Sequence, residues 1–291
     1  MTKKIKLNPF IIACMVILVL YVVIFVTLIS WGFMTSFKTR MDFRKNSYGL
    51  PNPWVISNYP DVIAIFYKKI DTGREVYIPE MFFHSFMYAL GGAFFCASFT
   101  CVTSYATARF DFKLSGVIYN FVIIAMIVPI VGALPSEMNM IYDVLNIEDT
   151  YLSVWFLKSH FIGMYYLVFY ATFKSIPESF VEAAEIDGAS MLTVFVKIVL
   201  PMVINIFGTV MLIKFIEFWN DYQTPMLYMP NKPVLAYGIY SFAFSSTGSI
   251  SRLGTPGIIA GCMLLFIPIF ILFLVFNKKL MVNLTAGGLK E

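Results

Sequence analysis

Residues 175–201 read SIPESFVEAAEIDGASMLTVFVKIVLP, which places an acidic patch directly before a strongly apolar stretch. Ser175 and Glu178 have the spacing of a capping box, in which the two side chains satisfy the first amide groups of a helix. Gly188 suits the position just past a helix C-terminus, where a left-handed backbone is needed. The pattern therefore predicts a short helix over about 176–187.

The predicted short helix has an acidic face. At about 100° per residue, Glu178, Glu182 and Glu185 share one stripe. The opposite side carries Phe180, Ala183 and Ala184, which are mostly small, so another surface could approach closely. Like charges one turn apart cost a few tenths of a kcal/mol per pair. Composition alone leaves two interpretations open: a solvated face, or a docking surface for a basic groove. A second helix is predicted to begin near Ser190 and to continue into the apolar stretch.

The whole chain has the composition of an integral membrane protein. Hydrophobic residues make up 59% of the 291 residues, charged residues 13%, and the mean hydropathy is +0.78. Soluble domains have about 45–50% apolar and about 25% charged residues. Crossing a bilayer takes about 20 apolar residues. Six segments meet this requirement, at about 10–34, 82–107, 115–138, 151–173, 198–219 and 257–276. The predicted fold class is an all-α integral membrane protein with six transmembrane helices and a cytoplasmic short helix.

Six spans place both termini on the same side of the membrane. If that side is the cytoplasm, its short loops hold ten basic residues against nine in the longer outer loops, which favours cytoplasmic termini. A basic cluster just after the first span argues the other way: Lys38, Arg40, Arg44 and Lys45. The outer loops would be about 35–80 and 220–256. Loops of this length that are not linkers usually bind a partner or ligand; the alternative is a solvated surface.

Small and ionisable residues lie within the predicted spans. Small residues recur at spacing four in the second and sixth spans, as Ala89, Ala93, Ala97 and Cys101 beside Gly92, and as Gly257 and Gly261. This spacing predicts close helix packing in lipid. The ionisable residues are Glu137, Lys158, His160, Lys214 and Glu217. Charges in a membrane indicate a functional, water-filled cavity, or else internal pairing, such as Lys214 with Glu217, or snorkelling toward the interface.

The sequence offers no catalytic or metal-binding pattern. It lacks the G-x-x-x-x-G-K-[ST] phosphate loop and the H-E-x-x-H zinc motif. The two histidines lie far apart, and all four cysteines fall in apolar spans, where they are expected to serve packing. We therefore predict a protein that is no enzyme and that itself binds no metal or cofactor.

The acidic stretch also has a recognisable spacing. Glu182-Ala183-Ala184, three residues, Gly188, nine residues and then Ile198-x-Leu200-Pro201 resembles the EAA signature of ABC-importer permease subunits. Four further segments resemble the smaller six-span partner of the maltose-type carbohydrate permeases: SNYPDV at 57–62, SYATARFDFK at 104–113, FWNDYQTPMLY at 218–228 and NLTAGGLKE at 283–291.

This resemblance implies a transport subunit for sugars or oligosaccharides in a bacterial-type cell membrane, surrounded by lipid. Its partners would be a second homologous permease, a homodimeric cytoplasmic ABC ATPase that holds ATP and Mg, and an extracellular solute-binding protein, with no nucleic acid. The short helix would be the coupling helix that docks on the ATPase.

The resemblance also implies roles for individual residues. The ATPase-coupling set would be Glu182, Ala183, Ala184, Asp187, Gly188, Leu200 and Pro201. The tail residues Gly287, Gly288 and Lys290 would contact the ATPase, and Lys158, Asn220 and Asp221 would line the substrate pathway. Related permeases import glycerol-phosphate-type solutes or polyamines, so these remain alternative substrates. The competing function is a stand-alone secondary transporter that uses Glu137, Lys158 or Glu217 for ion coupling.

Overall fold

The computed structural model describes residues 9–128, 132–244 and 249–286, without the side chains of 249–253 and 277–286. The described elements follow in chain order: α1 (Pro9–Ser36), α2 (Arg40–Lys45), α3 (Asn58–Ile65), β1 (Tyr67–Lys69), β2 (Glu75–Tyr77), α4 (Ile78–Arg109), α5 (Ser115–Ile127), α6 (Leu134–Asn139) with a π-helical turn (Met140–Val144), α7 (Tyr151–Lys158), α8 (Met164–Ser175), α9 (Ser179–Ile186), α10 (Met191–Val194) with a second π-helical turn (Phe195–Val199), α11 (Leu200–Trp219), α12 (Gln223–Tyr228), α13 (Leu235–Phe244) and α14 (Ser249–Ala286).

Among the described residues, four helices are long and apolar enough to cross a membrane: Pro9–Ser36, Ile78–Arg109, Met191–Trp219 and Gly254–Phe276. They correspond to the first, second, fifth and sixth predicted spans. The helix at 115–138 ends at Ile127, before residues that are not described. The structure thus agrees with a helical membrane protein, and the count of six spans stays a prediction.

The fourth predicted span, 151–173, is not one helix. α7 ends at Lys158 and α8 begins at Met164. Gly163 between them has φ +149°, a conformation that residues with a Cβ rarely adopt. Ser159 turns its hydroxyl back onto the carbonyl of Phe156 at 2.7 Å. A hydropathy window runs straight through this break because the flanking residues on both sides are apolar.

One compact unit takes its described residues from 9–66, 241–244 and 249–267. Gly257 and Gly261 are buried there, as their spacing predicted. A Cβ on Gly32 of α1 would lie 3.0 Å from Cε of Met263, so the two backbones approach closely. α1 otherwise exposes apolar side chains along most of its length, as expected of a helix that faces lipid or another subunit.

The residues after α1 are folded, although the sequence indicated only an outer loop over 35–80. Lys38 is buried and donates from Nζ to the carbonyl of Asn46 at 2.6 Å. The amide of Asn58 donates to the carbonyls of Ser36 and Lys38 at 2.7 and 2.8 Å. These bonds close the segment onto the end of α1, which explains why polar residues accumulate there.

The second unit takes its described residues from 67–128, 132–240 and 268–286. It is organised around α4, which packs against α11, α8 and α7. A small hairpin precedes α4: β1 and β2 pair antiparallel with Tyr67 opposite Tyr77, and Gly73 provides the turn with φ +83°.

The predicted close packing of the second span is confirmed. Ala89, Ala93 and Ala97 are fully buried. A Cβ on Gly92 would lie 3.0 Å from Cδ2 of Phe218 on α11. Since apolar burial alone does not drive helices together in lipid, this close approach supplies the contact area.

Candidate coupling site

The acidic helix α9 begins three residues later than the sequence predicted. Its N-cap is Glu178, whose side chain makes no capping bond. The capping box is therefore wrong. Ser175 is the last residue of α8, and its hydroxyl donates to the carbonyl of Thr172 at 2.7 Å. A side chain bonded to the preceding turn is not free to cap the next helix.

The end of α9 matches the prediction. Gly188 has φ +78°. Its N–H donates to the carbonyl of Glu185 at 3.0 Å, and the N–H of Ala189 donates to the carbonyl of Ala184 at 2.9 Å. This pair of bonds is a Schellman motif, which satisfies the last carbonyls of a helix and needs a left-handed residue. Asp187 is the exposed C-cap residue just before the turn.

The predicted second helix also forms. Ser190 is its N-cap and accepts from the N–H of Thr193. The helical segment then runs from Met191 to Trp219. Within it, the N–H of Leu200 bonds to the carbonyl of Phe195 across a π-helical turn. Proline removes one helical bond and clashes with the preceding turn. The wider turn directly before Pro201 therefore lets the helix continue through it.

The faces of α9 divide between the chain and its surroundings. Ala184 is buried in the apolar core that includes Tyr105 and Phe173. The rest of the helix surface carries exposed apolar and charged residues: Phe180, Glu182, Ala183, Glu185, Ile186 and Asp187. Ala184 thus serves packing within the chain. Glu182 and Ala183 lie open to a partner, beside two large exposed apolar side chains.

A cavity of about 230 Å³ lies between α9 and the end of α4. Its lining combines one base, three acids and apolar groups: Tyr105, Arg109, Phe110, Glu178, Val181, Glu182, Glu185, Met191 and Val194. The guanidinium of Arg109 donates from Nη2 to the carbonyl of Ile176 at 2.5 Å, and its Nη1 lies 4.0 Å from Oε1 of Glu178. The acidic stripe therefore has one cation of this chain beside it.

Two of the three predicted pathway residues bind each other. Lys158 Nζ lies 2.8 Å from Oδ2 of Asp221. The same carboxylate accepts from the hydroxyl of Tyr88 at 2.7 Å and from Thr224 Oγ1 at 2.7 Å. Burial opposes ionisation, but Lys158 and the two hydroxyls outweigh it and lower the pKa of Asp221. Asn220 is exposed and bonds only within its own helix in the described contacts, to the carbonyl of Ile216 at 2.8 Å.

Three of the other ionisable residues of the spans have a side-chain partner. Lys214 Nζ lies 2.8 Å from Oε2 of Glu217, which is the internal pairing that the sequence left open. Glu137 accepts from the hydroxyl of Tyr228 at 3.3 Å. His160 lies in the break between α7 and α8 and lines a small cavity with Lys214. No group of three or more potential metal ligands occurs among residues that the structure describes.

Sequence reasoning missed three residues of these sites: Arg109, Tyr88 and Thr224. Arg109 stands in the segment 104–113, so its motif was available, but its contact with Ile176 depends on a chain separation of 67 residues. Tyr88 reaches Asp221 across 133 residues. The predicted tail residues Gly287, Gly288 and Lys290 lie outside the described part of the chain.

The family model described as "Binding-protein-dependent transport system inner membrane component" matches residues 99–281. That range includes α9, the Schellman turn and the whole helical segment up to Trp219.

Two curated relatives align over most of their length. The "Probable starch degradation products transport system permease protein AmyC" of Thermoanaerobacterium thermosulfurigenes is 26% identical over 264 residues, covering 89% of each chain. The "Multiple sugar-binding transport system permease protein MsmG" of Streptococcus mutans is 26% identical over 263 residues, covering 88% of each chain.

A solved structure shares the fold. It is described as the crystal structure of a bacterial ABC transporter involved in the import of the acidic polysaccharide alginate. The TM-score is 0.75 at 19% identity, covering 96% of this chain and 99% of that chain. At this identity the likeness concerns the fold alone.

Proposed function

Because the chain belongs to the family of binding-protein-dependent transport system inner membrane components, we propose that it is a permease subunit through which an ABC importer moves sugars or oligosaccharides. The family match over residues 99–281 carries the transport role. The assignment of sugars as the substrate is based on relatives whose names specify starch degradation products and multiple sugars.

In this proposal α9 is the coupling helix and binds the cytoplasmic ATPase. It ends in a rigid Schellman turn, and its exposed side offers Glu182 and Ala183 beside the apolar side chains of Phe180 and Ile186. An exposed apolar residue surrounded by acids favours a partner with a basic, partly apolar cleft. The position just before the helical segment Met191–Trp219 lets a displacement of α9 act directly on a spanning helix.

The remaining partners follow from the same role. A second permease would cover part of the apolar surface of α1, the ATPase dimer would hold ATP and Mg, and an extracellular binding protein would deliver the solute. Both termini would be cytoplasmic, as the basic loops favour. Lys158 and Asp221 bind each other in this chain, so their contribution to a pathway would be to stabilise the helices that line it. Asn220 is exposed and stays the direct contact candidate of the three.

Charge reversal on the coupling helix tests the assignment. Glu182→Lys in the assembled importer is expected to abolish ATP-driven uptake of a labelled maltooligosaccharide, while membrane insertion stays normal. The exposed Glu148 lies outside α9, so Glu148→Lys is the matched control and should keep uptake. Wild-type uptake in the Glu182 variant would remove Glu182 from the coupling contact.

The proposed permease can also be distinguished experimentally from a secondary transporter. A permease subunit is inert without its partners, whereas a carrier works alone. If the purified chain alone accumulates sugar in liposomes under an ion gradient, the ABC assignment is wrong.

A further inference from the structure

Arg109 lies where three helix ends meet. It is the last residue of α4, and its side chain is only 9% exposed. Nη2 donates to the carbonyl of Ile176, which is the C-cap residue of α8. Nη1 lies 4.0 Å from the carboxylate of Glu178, which is the N-cap residue of α9. One guanidinium therefore reaches all three helix ends.

The main contact of this guanidinium is with backbone. The last carbonyls of a helix lack intrahelical partners and carry partial negative charge. A positively charged donor at the carbonyl of Ile176 satisfies one such group with a bond stronger than a neutral one. The Glu178 contact adds little, because that carboxylate is 82% exposed and exposed ion pairs contribute about 0–1 kcal/mol.

The rest of α9 is less firmly attached. Ala184 packs into the apolar core, but the flanking residues of the helix are exposed on most sides. Among the described residues, Nε of Arg109 is buried without a hydrogen-bond partner. Burying such a donor costs free energy, which indicates that the position of this side chain is enforced by its surroundings.

We propose that Arg109 is the positioning residue that joins the coupling helix to α4. Its bond to Ile176 fixes the start of α9 to the end of α4, so that a displacement of α9 moves α4 as well as the helix that follows it in sequence. α4 packs against α11, α8 and α7, so the motion reaches the centre of this unit. Glu182 and Glu185 line the cavity beside Arg109 and are exposed. The inference rests on the proposed function for α9.

Two variants in the complete importer test this link between α9 and α4 through Arg109, called the tether below. Arg109→Ala removes every contact, and Arg109→Gln keeps most of the length without the charge. Lys113 is exposed in the loop after α4, so Lys113→Ala is the matched control. Hydrogen exchange measured by mass spectrometry on peptides spanning 176–190 reports the tether without reference to transport. Losing a hydrogen bond to a charged group should raise exchange about tenfold.

Coupling is read from the ratio of solute imported to ATP hydrolysed. Both Arg109 variants are expected to lower this ratio about tenfold, whereas the control keeps it. If Arg109→Ala does not assemble, Arg109→Gln decides. Wild-type exchange at 176–190, or a wild-type ratio in an assembled Arg109 variant, overturns the inference.

The exchange and transport measurements distinguish the proposed function from the tether. A wild-type complex that imports no sugar contradicts the proposed function, and the exchange measurement still tests the tether. A wild-type complex that imports sugar, with unchanged exchange and coupling in the Arg109 variants, contradicts only the tether.

Discussion

Replacing Asp221 by alanine should destabilise this subunit strongly. The carboxylate accepts from Lys158 Nζ at 2.8 Å, Tyr88 at 2.7 Å and Thr224 at 2.7 Å. The Lys158 and Asp221 side chains are 21% and 16% exposed. Removing one partner of a largely buried pair costs about 3–5 kcal/mol, because the other charge is left uncompensated. We expect the lower part of that range, since the ammonium of Lys158 also lies 5.2 Å from the ring centre of Phe218 and keeps that cation–π attraction.

The assay is thermal unfolding of the purified subunit in detergent. For chains of this order, 1 kcal/mol shifts Tm by about 2–4 °C, so Asp221→Ala should lower Tm by about 6 °C or more. The neighbouring Asn220 is exposed and bonds only one turn back in the described contacts. Asn220→Ala should therefore change the free energy of unfolding by about 0.5 kcal/mol or less.

A double variant makes the prediction sharper. Lys158→Met combined with Asp221→Ala removes both charges, so it should recover part of the stability that Asp221→Ala loses. A Tm shift below about 2 °C in Asp221→Ala, with altered uptake, would refute the reasoning. That result would mean that the carboxylate binds solute rather than holding three helices together.

Two glycine substitutions test the backbone argument. Gly188→Pro should abolish uptake without affecting membrane insertion, because the residue needs φ +78° and donates its N–H to the carbonyl of Glu185. Uptake assays and membrane fractionation measure the two effects. Normal uptake would show that the turn is dispensable. Gly92→Leu should lower the free energy of unfolding by about 1–3 kcal/mol through overpacking, because even a Cβ would lie 3.0 Å from Phe218. Gly208→Ala is its control, with nothing within 4 Å of the added carbon; equal melting temperatures for the Gly92 and Gly208 variants would argue against close α4–α11 packing.

Local signals in the sequence predicted local structure well. The Schellman turn at Gly188 and the cap at Ser190 both follow from interactions within a few residues. The buried ridge of Ala89, Ala93 and Ala97 follows from helical spacing alone. Such features need no knowledge of distant residues.

The errors have equally physical causes. The Ser175 hydroxyl could cap the start of α9 or bond back to the end of α8, and in the structure it makes the second bond, to the carbonyl of Thr172. A hydropathy average does not reveal the break after Lys158, because the break lies in the backbone conformation of Gly163 and not in the polarity of the side chains. Lys158 and Asp221 are 63 positions apart in the chain, so the sequence does not predict that their side chains pair.

ATP-driven uptake in liposomes tests the central claim most directly. The vesicles would contain this chain, its partner permease and the ATPase, with the binding protein loaded with a labelled maltooligosaccharide outside. A permease subunit of an ABC importer predicts uptake that requires ATP and stops when any one of the four components is omitted. Uptake that continues without ATP or without this chain would contradict the account.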